Sequence, residues 1–170
     1  AEVRQQPGRV IEHLEAARTA AESGQGQRLL AEAESSLAQA YRRQGDLVRA
    51  AQRSSSAVTH TRAAGSRFTL PIRIGELADI RAAQGRLSTA RTLYSEATDV
   101  VEGIMANVPS RTSQARLVGV MSDIYAGNFV LAAERLNDPY EAFRVIERAR
   151  GRALADVLRT LPDDSRSVED

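Results

Sequence analysis

Cysteine and tryptophan are absent from this 170-residue chain, and all 23 basic residues are arginine. Without cysteine there is no disulfide, no thiol nucleophile and no thiolate metal site. The exclusive use of arginine reads as coding bias. Aromatic residues make up only 4%, and alanine recurs at regular positions, a composition suited to closely stacked helices. Only Pro7, Pro71, Pro109, Pro139 and Pro162 interrupt it, all at or near expected helix ends. A net charge of +1 leaves no electrostatic footprint for nucleic acid or membrane. No signal peptide is present, and no apolar run is long enough to span a bilayer. The most apolar region, 117–133, is interrupted by Asp123. We expect a cytoplasmic protein with neither nucleic-acid nor membrane partner, and a segment of a longer chain.

What is present is a repeat. Residues 31–60 align without a gap on residues 71–100, forty positions on, with eight identities: Leu37, Ala38, Gln44, Gly45, Leu47, Ala50, Ser55 and Ala57. A fixed period of roughly 20–50 residues marks a solenoid, in which each unit buries its apolar face only against its neighbours. The expected fold is therefore all-α, about seven helices in antiparallel hairpins over residues 1–160, with 161–170 a polar tail or linker.

Helical periodicity is continuous, and no window alternates like a strand. Helix 1 is expected at about 7–23, with Val10, Leu14, Ala17 and Ala21 inward. Helix 2, about 27–44, turns Leu30, Ala33, Leu37, Ala40 and Tyr41 to the core. Gly45 stops it and Asp46 caps helix 3, which presents Leu47, Ala50, Ala51, Ala57 and Val58. Helices 4 (68–84) and 5 (87–106) repeat the pair, with Arg86 in place of the capping aspartate. Residues 107–110 form a break. The next matching alanine, Ala142, then arrives twelve residues late, which adds roughly 18 Å of helix. One long helix 6, 111–136, absorbs this, with Val118, Met121, Tyr125, Phe129, Ala132 and Leu136 as its seam. Asp138, Pro139 and Glu141 open helix 7 with an N-cap, a first-turn proline and a capping box. Tyr41, Tyr94, Phe129 and Phe143 fit core positions.

Leu37, Ala38, Tyr41, Gly45, Asp46, Ala50 and Ala57, then Leu77, Ala78, Gly85, Ala90, Tyr94 and Ala97, resemble the tetratricopeptide repeat. Glu34 and Ile74 stand where that family has tryptophan, Arg81 replaces its tyrosine and Arg62 its closing proline. The segment from Tyr140-Glu141-Ala142-Phe143 through Glu147-Arg148-Ala149-Arg150 to Leu158 is similar to the last helix before the peptidase domain of bacterial CHAT proteins, which are caspase-like proteases. That resemblance implies the regulatory or sensing part of such a protein, covalently linked to a downstream peptidase domain. It carries no catalytic residue onto this chain.

The expected function is a non-catalytic protein–protein interaction module, with no cofactor and no metal; the alternative is an oligomerising helical scaffold without a peptide ligand. In tetratricopeptide-like arrays the first helix of each hairpin lines the concave side. The corresponding exposed positions are Ser35, Gln39, Arg42 and Arg43, then Gly75, Asp79, Ala82 and Ala83. Ser35, Gln39, Arg42, Arg43 and Asp79 are the candidate peptide groove, with Arg42 and Arg43 suited to an acidic side chain. Arg144, Arg148 and Arg152 recur at i, i+4 and share a face of helix 7. They are the candidate surface for docking another domain, weighed against a solvated face paired as Glu147–Arg150 and Arg152–Asp156. His13 and His60 lie on separate helices with no partner at metal-ligand spacing.

Overall fold

The computed structural model describes residues 6–24, 26–106 and 111–160, with the side chains of all but 6, 7, 111–118, 121 and 152–160. The expected break at 107–110 and the tail at 161–170 lie outside them. The described residues form seven α-helices and no strand: α1 (Gln6–Ser23), α2 (Gln27–Arg43), α3 (Leu47–Ala63), α4 (Leu70–Ala83), α5 (Leu87–Ala106), α6 (Arg111–Val130) and α7 (Pro139–Thr160). Each helix packs on the next in chain order, and α4 also touches α6. The architecture is an all-α helical repeat.

The turns follow from their residues. Gly45, Gly65 and Gly85 each hold φ between +64° and +80°, a conformation that glycine adopts without a Cβ penalty. The Asp46 carboxylate accepts from the Arg49 N–H at 2.9 Å, which closes the first turn of α3. Arg86 makes no such cap, and Gly85 alone terminates α4 there. The glutamine of the repeat has a use the sequence did not reveal. Gln84 Nε2 donates to the Leu47 carbonyl at 2.7 Å, tying the second unit's turn to the first unit. α4 begins two residues later than expected. Residues 66–69 form a turn closed by Thr69 N–H to Ser66 O at 3.1 Å, and Pro71 then sits in the first helical turn, where its missing N–H costs nothing.

Alanine and leucine at the repeat positions form the core. Ala50, Ala90, Ala97 and Leu37 are wholly buried, and Ala38, Ala57 and Ala78 nearly so. One cluster centres on Leu37, Tyr41, Ala50 and Ile80; a larger one runs from Val58 and Ile74 through Tyr94 and Val101 to Ile124, Leu131 and Val145.

Three faces differ from expectation. On α1, Ile11, Leu14 and Ala21 face inward, while Val10 and Ala17 are exposed. Glu15 and Arg18 are half-buried rather than solvated. Glu15 accepts from Arg53 Nη2 at 2.7 Å, from Arg18 Nε at 3.0 Å and from the Tyr41 hydroxyl at 3.4 Å. On α6, Ile124, Tyr125, Asn128, Leu131 and Ala132 are buried, and Phe129 is exposed. Phe143 on α7 is exposed as well.

α6 runs unbroken through Gly127-Asn128, as expected, but ends in a π-helical turn, Leu131–Arg135, rather than in α-helix. Leu136 N–H reaches back to Leu131 O at 2.9 Å, which widens the last turn and shifts the seam. Gly127 has a packing reason: a Cβ there would lie 2.5 Å from the Tyr94 hydroxyl oxygen. Asp138 caps α7 by accepting from the Glu141 N–H at 2.9 Å. The reciprocal half of the capping box is not made. Asp138 N–H donates to Ala132 O at 2.9 Å, and Glu141 pairs with Arg144 instead.

Candidate functional site

α2 and α4 carry the candidate groove residues, and α6 follows them as the first helix of the next hairpin. Two junctions result. Between α2 and α4, polar side chains close the gap. Arg73 is nine-tenths buried, and its guanidinium reaches Glu32 at 2.7 Å and Glu76 at 3.1 Å. Glu76 in turn accepts from Ser35 at 3.2 Å and from Gln39 at 3.4 Å. Ser35 is therefore buried rather than exposed, because it lies beneath this clamp. Gly75, expected at the surface, is buried against Ile124. Arg42 lies 3.9 Å from Asp79, a loose and exposed pair worth only a few tenths of a kcal/mol. Arg43 is exposed and pairs with no described carboxylate.

Between α4 and α6 the gap stays open as a groove of about 370 Å³. Ile72, Val120 and Ile124 give it apolar walls, and Glu76, Asp79 and Asp123 line it with carboxylates. Among the described side chains no arginine lines it. Asp123 is exposed, with no ion pair to another described side chain. Asp79 accepts a hydrogen bond from the buried Tyr94 hydroxyl. Burial, and then that bond, push the Tyr94 hydroxyl well above its ordinary pKa, so it stays a neutral donor. The groove thus joins candidate residue Asp79 to Glu76 and Asp123, which sequence reasoning passed over. Asp123 had registered only as the interruption of an apolar run.

The arginines of α7 meet different fates. Arg148 is held within the chain, donating to Asp99 at 2.7 Å and to Glu102 at 2.8 and 2.9 Å. These acceptors, Glu102 foremost, raise its already high pKa and fix its charge. It ties α7 to α5, although its side chain stays partly exposed. Arg144 pairs along its own helix with Glu141 at 3.0 Å, and Arg150 approaches Glu147 at 3.6 Å. The side chains of Arg152 and Asp156 lie outside the described residues.

A second cavity, of about 380 Å³, opens between α5, α6 and α7. Its wall includes Asn128, whose Oδ1 is buried and accepts no hydrogen bond. An orphaned buried acceptor costs about 1–3 kcal/mol. Elsewhere, Glu34 stands at the repeat's tryptophan position, buried among α1, α2 and α3. Desolvation raises its pKa despite Arg53 at 3.4 Å.

His13 is exposed, and His60 Nδ1 hydrogen-bonds Gln27 Oε1 at 2.8 Å. Among the described residues no three metal-binding side chains converge, and no helix is long and apolar enough to cross a membrane. The chain matches no protein-family model, no curated protein and no solved structure.

Proposed function

We propose that this chain is a non-catalytic, cytoplasmic protein-interaction module of tetratricopeptide-like type, and that the α4–α6 groove holds a segment of its partner. One observation carries the reading: an open groove with apolar walls and three carboxylates stands beside the junction that α2 and α4 close. Because Arg42 already faces Asp79 and the described side chains lining the groove include three carboxylates and no arginine, its charge suits a cationic segment rather than an acidic one. An aliphatic stem lies against Ile72 and Val120 while its ammonium or guanidinium reaches Asp79 and Asp123. A peptide array probed with the purified chain is expected to enrich lysine or arginine next to an apolar residue. Asp123→Lys abolishes that preference. Enrichment of acidic segments, or binding indifferent to Asp123→Lys, removes the reading.

The same proposal makes the chain the regulatory part of a CHAT-type peptidase. Its support is the motif from Tyr140 to Leu158. The adjoining coding sequence tests it: a histidine and a cysteine on an α/β pattern are expected, and a kinase or membrane region there contradicts it. The alternative, an oligomerising scaffold, draws on the exposed Phe129, Val130 and Ile146 near the end of the array. Light scattering that shows a concentration-dependent dimer, lost in Ile146→Glu, favours that alternative.

A further inference from the structure

The cavity between α5, α6 and α7 shares no lining residue with the α4–α6 groove. Asn128 contributes a buried amide whose oxygen has given up water and received no donor in exchange. Buried polar groups in folded proteins are nearly always paired, so an orphan in a cavity wall marks where a donor is missing. The torsion of the terminal amide is soft, so a turn about it can present the oxygen to a donor in the cavity. The turn that follows, Leu131–Arg135, is π-helical, a distortion found often at functional sites.

The rim narrows the choice of ligand. Tyr140 and Phe143 flank the cavity with exposed rings, 75% and 58% accessible. Arg91, on the α5 side, is exposed and pairs with no described carboxylate, whereas Arg144 and Arg148 are held by Glu141, Asp99 and Glu102. The ligand therefore combines a hydrogen-bond donor, an aromatic ring and one negative charge. The volume, about 380 Å³, accommodates an indole or a phenol.

We propose that this cavity receives an aromatic side chain bearing an N–H or O–H donor, a tryptophan or tyrosine of a partner protein, next to a carboxylate. The donor bonds Asn128 Oδ1, the ring lies between Tyr140 and Phe143, and the carboxylate meets Arg91.

The chain contains no tryptophan, so the fluorescence of an added indole reports its own binding without background. The probes are N-acetyl-tryptophanamide, its 1-methylindole analogue, which lacks the donor, and N-acetyl-tryptophan, which keeps a free carboxylate. Each is titrated into the full chain, with amide NMR locating the site. The donor-bearing indole is expected to bind about tenfold more tightly than its methylated analogue. Asn128→Leu removes that difference while raising the melting temperature of the unliganded protein. N-acetyl-tryptophan gains about threefold over the amide, a gain lost in Arg91→Ala. Phe143→Ala, at an exposed position, weakens every probe without changing the fold. Equal binding of the methylated indole overturns the proposal. So do NMR shifts confined to other surfaces, or no binding at about 10 mM probe.

Discussion

The α2–α4 and α4–α6 junctions are built from equivalent helices and end differently. At the first, Glu32, Ser35 and Gln39 of α2 meet Arg73 and Glu76 of α4, and the seam is sealed by hydrogen bonds. At the second, α4 presents Ile72, Gly75 and Asp79 to Val120, Asp123 and Ile124 of α6, and among the described side chains no ion pair crosses. The polar tie near the end of α6 is Arg135 to the Ala82 carbonyl, 3.1 Å long. Repeat register fixes which residues face a junction, but charge and size at two or three positions decide whether it closes. Serine at 35 becomes glycine at 75, glutamine at 39 becomes aspartate at 79, and what was a seam becomes a groove.

Gly75 in the open groove and Gly127 against Tyr94 of α5 respond in opposite ways, and Gly127 has the larger effect. Gly127→Ala drives a Cβ into the buried Tyr94 ring, so urea unfolding is expected to show a loss of about 2–3 kcal/mol. Tyr94→Phe, which removes the hydroxyl oxygen nearest that Cβ, recovers part of the loss in a double-mutant cycle. An additive cycle shows that the hydroxyl is not what excludes a side chain at 127. At the closed junction, Arg73→Ala strands Glu76 and opens the seam. A cost of about 1–2 kcal/mol is expected, held down by the exposure of Glu32. Next comes Arg148→Ala, which frees α7 from Asp99 and Glu102. About 1 kcal/mol is expected, together with faster amide exchange in α7 relative to α2–α4.

Gly75→Ala goes the other way. Its Cβ would meet Ile124 Cγ1 at 3.7 Å, an ordinary contact. Stability is expected to rise by about 0.5–1 kcal/mol through helix propensity, while the groove narrows and peptide binding weakens. The smallest effect is a pH dependence in the first unit. Burial lifts the Glu34 pKa, so the folded state holds that proton more tightly than the unfolded chain. The penalty for ionising it is absent below the ordinary carboxylate pKa and grows as pH rises through the raised value. Denaturant midpoints for Glu34→Gln measured against wild type are expected to lose this downward component with rising pH. Parallel pH profiles for the two proteins contradict it.

Much of the scaffold was legible because it depends on local chemistry. Gly45 and Gly85 stop helices wherever they occur, Asp46 and Asp138 cap with their own carboxylates, and alanines forty residues apart bury against the same kind of neighbour. The continuity of α6 was legible for the same reason, although the cause of Gly127 was not. Its neighbour Tyr94 lies on another helix. The face of α1 was misjudged because Val10-Ile11 and Leu14 fit two overlapping stripes in an alanine-rich helix. Only packing against the core cluster of α2, α3 and α4 around Leu37 and Tyr41 selects Ile11.

Sequence alone determined the all-helical repeat, its turns and its apolar core, since each rests on propensities and periods confined to a few neighbouring residues. Tertiary structure alone decided where polar groups go. Ser35 is buried because Glu76 stands 41 positions away to receive it, Arg148 is spent on Asp99 and Glu102 of another helix, and the amide oxygen of Asn128 is buried with no donor to meet it. Burying a polar group is a contract between distant segments. A single stretch of chain cannot state its terms.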